Sequence, residues 1–151
     1  MEELLGAVER RALGLAPIVV VFPSEEERKK VELPEEIEVL IGDPINRETL
    51  ERSRVRRASH VILALEDDSK TVFVTLVVKR MSKAKVLVEA LSSESVELLK
   101  QAGADRVIVS RSLASRLLAS SIFKPEVVDV IDDITSSVKG YDVTVPICPK
   151  F

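Results

Sequence analysis

The chain has 151 residues, 46% hydrophobic and 31% charged, with net charge −3 and a pI near 5.4; this fits one folded domain with a core and excludes a disordered acidic segment. The acidic balance, with no Trp and one Tyr, lacks both the basic footprint and the stacking aromatics of nucleic-acid binding. The longest apolar span, Leu13 to Phe22, is broken by Pro17 and is far shorter than the roughly 20 residues a membrane helix needs, and no signal peptide is visible around Glu2 and Glu3, so a cytoplasmic chain without membrane insertion is expected.

Apolar, β-branched runs begin at Pro17 (PIVVVF), Glu38 (EVLI), Ser59 (SHVILAL), Lys85 (KVLVEA) and Asp105 (DRVIVS). Each has the length of a strand buried on both faces. Helical patterns separate them. Ser24 and Glu27 have capping-box spacing, Asn46 is placed to cap a helix toward Arg54, and Ser93 to cap one reaching Ala102, with Gly103 as its stop. The segment Ser69 to Met81 is apolar nearly all round, which predicts burial on two sides. Strands alternating with helices give an α/β fold with a mostly parallel sheet.

After the fifth run the pattern changes to two consecutive helices, Ser112 to Phe123 and Pro125 to about Val138, with Pro125 at the first position of the second. Their apolar faces carry Leu113, Leu117, Leu118, Ile122 and Phe123, then Val127, Val128, Ile131, Ile134 and Val138. A last strand, Tyr141 to Ile147, leads to the tail. Cys148, the only cysteine, lies there, which excludes an internal disulfide framework and a thiolate metal cluster. The expected organisation is one domain: a Rossmann-like core over about residues 1–110, a helical crossover over about 111–138, and an exit strand and tail over 139–151.

Four segments then carry a resemblance: the strand ending in Gly42-Asp43-Pro44; Leu50 to Ala58 before the strand Val61 to Leu65; Glu66-Asp67-Asp68 opening a helix; and Gln101-Ala102-Gly103-Ala104-Asp105-Arg106-Val107-Ile108. In their order and spacing they resemble the N-terminal lobe of the RCK family, also known as TrkA-N or KTN, the regulatory domains of potassium channels and transporters. The resemblance covers roughly Leu4 to Ile147. It implies a regulatory module rather than an enzyme, gating through a ligand-dependent change in the shape of a dimer or ring that pulls on a pore or transporter subunit at the inner face of the membrane. It also implies a dimer interface on Leu113, Leu117, Leu118, Ile122, Phe123, Val127, Ile131 and Ile134, with a second contact through Ser69 to Met81.

Two departures from the family pattern matter. Aligned on Gly42-Asp43, residues Glu2 to Leu13 correspond to the family's first helix and Pro17 to Phe22 to its second strand, so the first strand and its Gly-rich turn are not represented. The glycines at 6, 14, 42, 103 and 140 form no G-x-G-x-x-G, and Phe22-Pro23-Ser24 stand where an acidic ribose anchor is expected. NAD or another nucleotide is therefore disfavoured. A sheet without its central strand has open edges, to be filled by a partner chain or by Tyr141 to Ile147.

Ligands on open α/β sheets gather at the carboxyl ends of strands, where this chain collects Asp43, Glu66 and Asp67 as candidate ligand-binding residues and Asp68 and Glu89 as candidate ligands for a divalent cation such as calcium or magnesium. The same carboxylates also suit helix caps and turns. Two carboxylate positions of the family's calcium-binding members correspond to Ala64 and Leu91, and only Glu89 is retained. His60, the only histidine, reads as a surface or structural residue. Ser110, Ser112, Ser115, Ser120 and Ser121 lack a nearby base and a Gly-x-Ser-x-Gly turn, and read as contact residues. Arg111 and Arg116 suit an anion or an acidic partner helix. Two rival readings remain: a ligand-free oligomerisation scaffold and a fragment of an NAD-dependent oxidoreductase.

Overall fold

A computed structural model describes residues 18–33, 35, 37–124, 126 and 129–131. The expected first helix at 2–13, the start of the second crossover helix at Pro125, the candidate contacts Val127 and Ile134, and the strand 141–147 lie outside the described residues.

Five strands are described, β1 (Val19–Phe22), β2 (Glu38–Ile41), β3 (His60–Leu63), β4 (Lys85–Ala90) and β5 (Arg106–Val109). They form two parallel ladders, β1–β2 and β3–β4–β5. Among the described residues β1 pairs only with β2, and β3 only with β4.

Helices α1 (Glu25–Lys29), α2 (Arg47–Arg52), α3 (Asp68–Met81), α4 (Ser95–Gln101) and α5 (Ser110–Phe123) follow the strands in turn. Their starts obey local chemistry. Ser24 accepts a hydrogen bond from the Glu27 amide at 3.2 Å, Asn46 from the Glu48 amide at 3.0 Å, and Asp67 from the Lys70 amide at 2.9 Å, each satisfying a donor that the first helical turn leaves unpaired. Helix α4 is different. It begins at Ser95 with Glu94 in the cap position and no side-chain cap; the expected cap Ser93 lies in the preceding turn, which Ser92 Oγ closes by accepting from the Glu94 amide at 3.2 Å. At its other end Gly103 takes φ +103°, as a helix stop of this kind requires.

The larger core lies between α3, α4 and one face of the β3–β4–β5 ladder, around Leu63, Val74, Val78, Val86, Val88, Ala90 and Leu99. Val74, Val78, Val86 and Leu99 are fully buried, each worth on the order of 1.5–3 kcal/mol of transfer free energy. Two threonines complete the inner face of α3 because their hydroxyls return to the helix backbone: Thr71 Oγ1 donates to the Asp67 carbonyl and Thr75 Oγ1 to the Thr71 carbonyl. A smaller core of Val20, Phe22 and Ile37 serves the β1–β2 ladder. The chain after β2 joins the two units, with Ile45, Leu50 and Val55 packing into the larger core and Arg54 Nη2 reaching Glu38 Oε1 at 3.1 Å.

The expectation of strands buried on both faces is corrected. In β4, Val86, Val88 and Ala90 are buried while the alternate residues are not, and on that second face, which no described element covers, Ile62 and Ile108 are 42% and 48% exposed. Successive strand residues point to opposite faces, and α3 and α4 cover only one of them. Helix α3 is likewise buried on one side, with Phe73 and Leu76 exposed.

Candidate functional site

The predicted acidic residues lie at or near the carboxyl ends of their strands, but each is engaged differently. After β2, Gly42 packs so tightly on α2 that a Cβ there would lie 2.6 Å from Thr49 Oγ1. Asp43 follows and closes a local turn, its Oδ1 accepting from the Ile45 amide at 3.0 Å. After β3, Glu66 is exposed and Asp67 caps α3. Asp68 accepts from the amides of Leu91 and Ser92 at 2.9 and 3.0 Å. Burial pushes its carboxyl up, but the Leu91 amide, the Ser95 hydroxyl and the Ser92 amide together hold it below the usual carboxylate range. Asp68 thus ties the start of α3 to the loop after β4.

Glu89 is half-buried inside β4 on the uncovered face, whereas α3 packs on the other. The two residues expected to share a cation, Asp68 and Glu89, therefore arise from opposite faces of the ladder. Among the described residues no group of three or more His, Cys, Asp or Glu side chains is arranged to hold a metal ion. His60 is exposed, its Nδ1 3.1 Å from Ser59 Oγ.

The cleft at this edge lies elsewhere, beyond the ends of β4 and β5. It has a volume of about 330 Å³ and is lined by Leu91, Ser92, Ser93, Val109, Arg111, Ser112 and Ser115. Hydroxyls and one guanidinium stand beside Leu91 and Val109 in this open depression. From sequence, Ser112 and Ser115 read as contact residues and Ser93 as a helix cap, because the cleft exists only once the loop after β4 meets the first turn of α5. The rule that ligands collect beyond strand ends was the available signal.

Helix α5 offers a second surface. None of its fourteen residues is buried, and Leu113, Leu118, Ile122 and Phe123 are 51%, 71%, 76% and 84% exposed. Leu117 is half-buried, as is Ile131 beyond the helix. Val130, 54% exposed, adds an apolar residue that the predicted interface omitted.

The family model for the TrkA-N domain matches residues 5–110. The chain belongs to the TrkA-N domain family. Potassium channel protein 1 of Methanocaldococcus jannaschii is 22% identical over 105 residues, 69% of this chain and 32% of that protein. The chain thus spans about a third of the length of this curated relative. Among solved structures, the GsuK RCK domain superposes with a TM-score of 0.62 at 23% identity, over 72% of this chain and 24% of that one. The TrkA-N domain of the inner membrane protein ybaL from Escherichia coli gives 0.64 at 18% identity, over 78% and 85% of the two chains. These likenesses establish the expected Rossmann-like α/β fold. Among the described residues of this TrkA-N domain, no helix is long and apolar enough to cross a membrane.

Proposed function

We propose that this TrkA-N domain is a regulatory and assembly module of a potassium channel or potassium transport system, working as a dimer or larger ring beside a membrane-bound pore or transporter subunit. The exposed apolar residues of α5 carry the assembly half of this reading. Four large apolar side chains that are all at least half exposed on one helix, none of whose residues is buried, favour a protein–protein contact. The potassium half is supported by the family and by the relative named as a potassium channel protein. In this reading the chain catalyses nothing, and a ligand acts by binding one ring shape better than another.

Sedimentation equilibrium of the chain and of its Leu118→Asp variant tests the assembly. The wild type is expected to associate, and the variant, which places a charge where desolvation is required, to weaken association at least tenfold. A monomeric wild type would sink the reading. Thermal unfolding with calcium, magnesium and a set of nucleotides tests the ligand: a compound at one hundred times its dissociation constant stabilises the folded state by about 2.7 kcal/mol. A clear rise supports a sensor, and no rise with any of them favours a ligand-free scaffold.

A further inference from the structure

We infer that the amino edge of the β3–β4–β5 ladder is a basic face that docks, without inserting, on an anionic lipid surface. The net charge of −3 conceals an uneven spread along the strands. Asp43, Glu66, Asp67 and Asp68 follow the carboxyl ends of β2 and β3. The amino ends of the larger ladder are framed instead by residues 56–60, 79–86 and 104–106, whose one carboxylate is Asp105. It is already engaged, with Lys79 Nζ at 2.9 Å and the Val86 amide at 2.6 Å. Arg56 reaches Glu51 on α2 at 3.4 Å. Arg57, Arg80, Lys83, Lys85 and Arg106 form no ion pair among the described residues.

The ladder sets where these cations stand. His60 and Lys85 are register partners, as are Leu87 and Arg106, on strands about 4.8 Å apart. Residues two apart on a strand share a face, so Lys85 stands with Leu87, and hence with Arg106, on the face that no described element covers. Lys83 continues the alternation, exposed between Ser82 and Ala84, which are 8% and 2% exposed. Arg80 lies in the last turn of α3, which Lys79 ties to this edge by donating to the Ala84 carbonyl at 3.2 Å, and Arg57 ends the short turn before β3. A helix C-terminus favours cations within its last turn, which accounts for Lys79 and Arg80. Lys83, Lys85 and Arg106 lie beyond the helix, and an anionic surface would offset their mutual repulsion.

The chemistry of the edge selects the occupant. Spread single cations match a field of phosphate headgroups, where each Lys or Arg near the surface strengthens binding roughly fivefold. Nucleic acid fits less well, because these segments hold no aromatic side chain on which a base could stack. The acidic edge of a second copy also fits less well, because Asp43, Asp67 and Asp68 already accept hydrogen bonds from backbone amides of their own chain. The choice of lipid rests on the reading of this chain as a module beside a membrane-bound subunit.

Flotation of the full chain with vesicles of mixed phosphatidylglycerol and phosphatidylcholine, against phosphatidylcholine alone, tests this. At about 50 mM salt the acidic vesicles are expected to bind at least about tenfold more tightly, and the preference to vanish near 0.5 M, where screening contracts to about 4 Å. Lys83→Gln with Lys85→Gln and Arg106→Gln is expected to lose about 100-fold at an unchanged unfolding midpoint, since all three side chains are exposed. Removing three exposed cations elsewhere, by Lys70→Gln, Arg111→Gln and Arg116→Gln, should lose less than about fivefold. No preference for acidic vesicles in the wild type, or an equal loss in the two triple variants, would overturn the docking. So would polyglutamate that holds the protein as tightly as the vesicles do, by assigning the edge to an acidic protein segment. A chain that stays monomeric yet keeps the preference would support docking while sinking assembly, so the two readings fail separately.

Discussion

Asp68 Oδ1 lies 2.9 Å from the Leu91 amide, twenty-three residues away in sequence, and this bond fixes the first turn of α3 against the end of β4. Its carboxyl is held below the ordinary value of 3.8 because the charged form accepts from Leu91, Ser95 and Ser92, against the cost of burial. The sign follows: a depressed folded-state pKa contributes stability that is present above the unfolded value and lost as pH falls through the folded one. Asp68→Ala is expected to cost about 1–2 kcal/mol near neutral pH. In thermal unfolding between pH 6 and pH 3, Asp68→Asn should lose less of its midpoint than the wild type. Equal losses would show that Asp68 does not drive the acid response.

Gly42 and Thr49 form a packing pair. A Cβ on Gly42 would stand 2.6 Å from Thr49 Oγ1 and 2.8 Å from its Cγ2, and Thr49 is 5% exposed with little room to move. Gly42→Ala is expected to destabilise by about 1–3 kcal/mol through overpacking. Thr49→Ala removes both crowded atoms, so the double variant should be more stable than the sum of the two single losses predicts, a coupling readable from denaturant midpoints. Additive losses would place the cost of Gly42→Ala elsewhere.

That contact also marks what sequence could and could not disclose. The runs EVLI and KVLVEA became β2 and β4 with the expected bounds, because β-branched residues between turn signals leave little alternative, and Ser24 and Asn46 capped as their spacing implied. Ser93 did not, because Ser92 and Ser93 offer adjacent hydroxyls and only backbone geometry decides which closes the turn. The uncovered face of the larger ladder was hidden for a related reason. Ile62, Leu87 and Ile108 are as apolar as the buried residues beside them, so alternation is lost from the sequence. The cleft joins residues 91–93 to 109–115, and no local pattern records a meeting of two distant loops. The acidic residues were legible as a group, but each carboxylate's partner, Ile45 for Asp43 or Leu91 for Asp68, depended on the tertiary fold.

Gly103 stops α4 at φ +103°, and a Cβ added there would meet Lys79 Cγ at 3.1 Å. Lys79 cannot simply swing away, because its Nζ donates to the Ala84 carbonyl at 3.2 Å and to Asp105 Oδ2 at 2.9 Å. Gly103→Ala is expected to lower stability by about 1–2 kcal/mol, chiefly through backbone strain. Adding Lys79→Ala removes the contact but leaves the strain, so the double variant should recover none of the backbone part of the loss. Full recovery in chemical unfolding would assign the whole cost to the side-chain contact.

The outer side of α3 allows the proposed second contact to be tested apart from α5. Phe73 and Leu76 are 48% and 44% exposed, one helical turn apart and facing away from Val74 and Val78 in the core, so replacing them disturbs no buried contact. Phe73→Ser with Leu76→Ser is expected to leave the unfolding midpoint nearly unchanged, within about 1 kcal/mol for two surface positions. If α5 builds the dimer and α3 supplies a second contact, this variant should stop at the dimer under conditions where the wild type forms larger species, as read by light scattering coupled to size exclusion. The Leu118→Asp variant should then lose both levels, because a ring built from dimers cannot form once the dimer is gone. A wild type that never exceeds a dimer, or an α3 variant that still forms the larger species, would remove α3 from the assembly and leave its apolar side without that role.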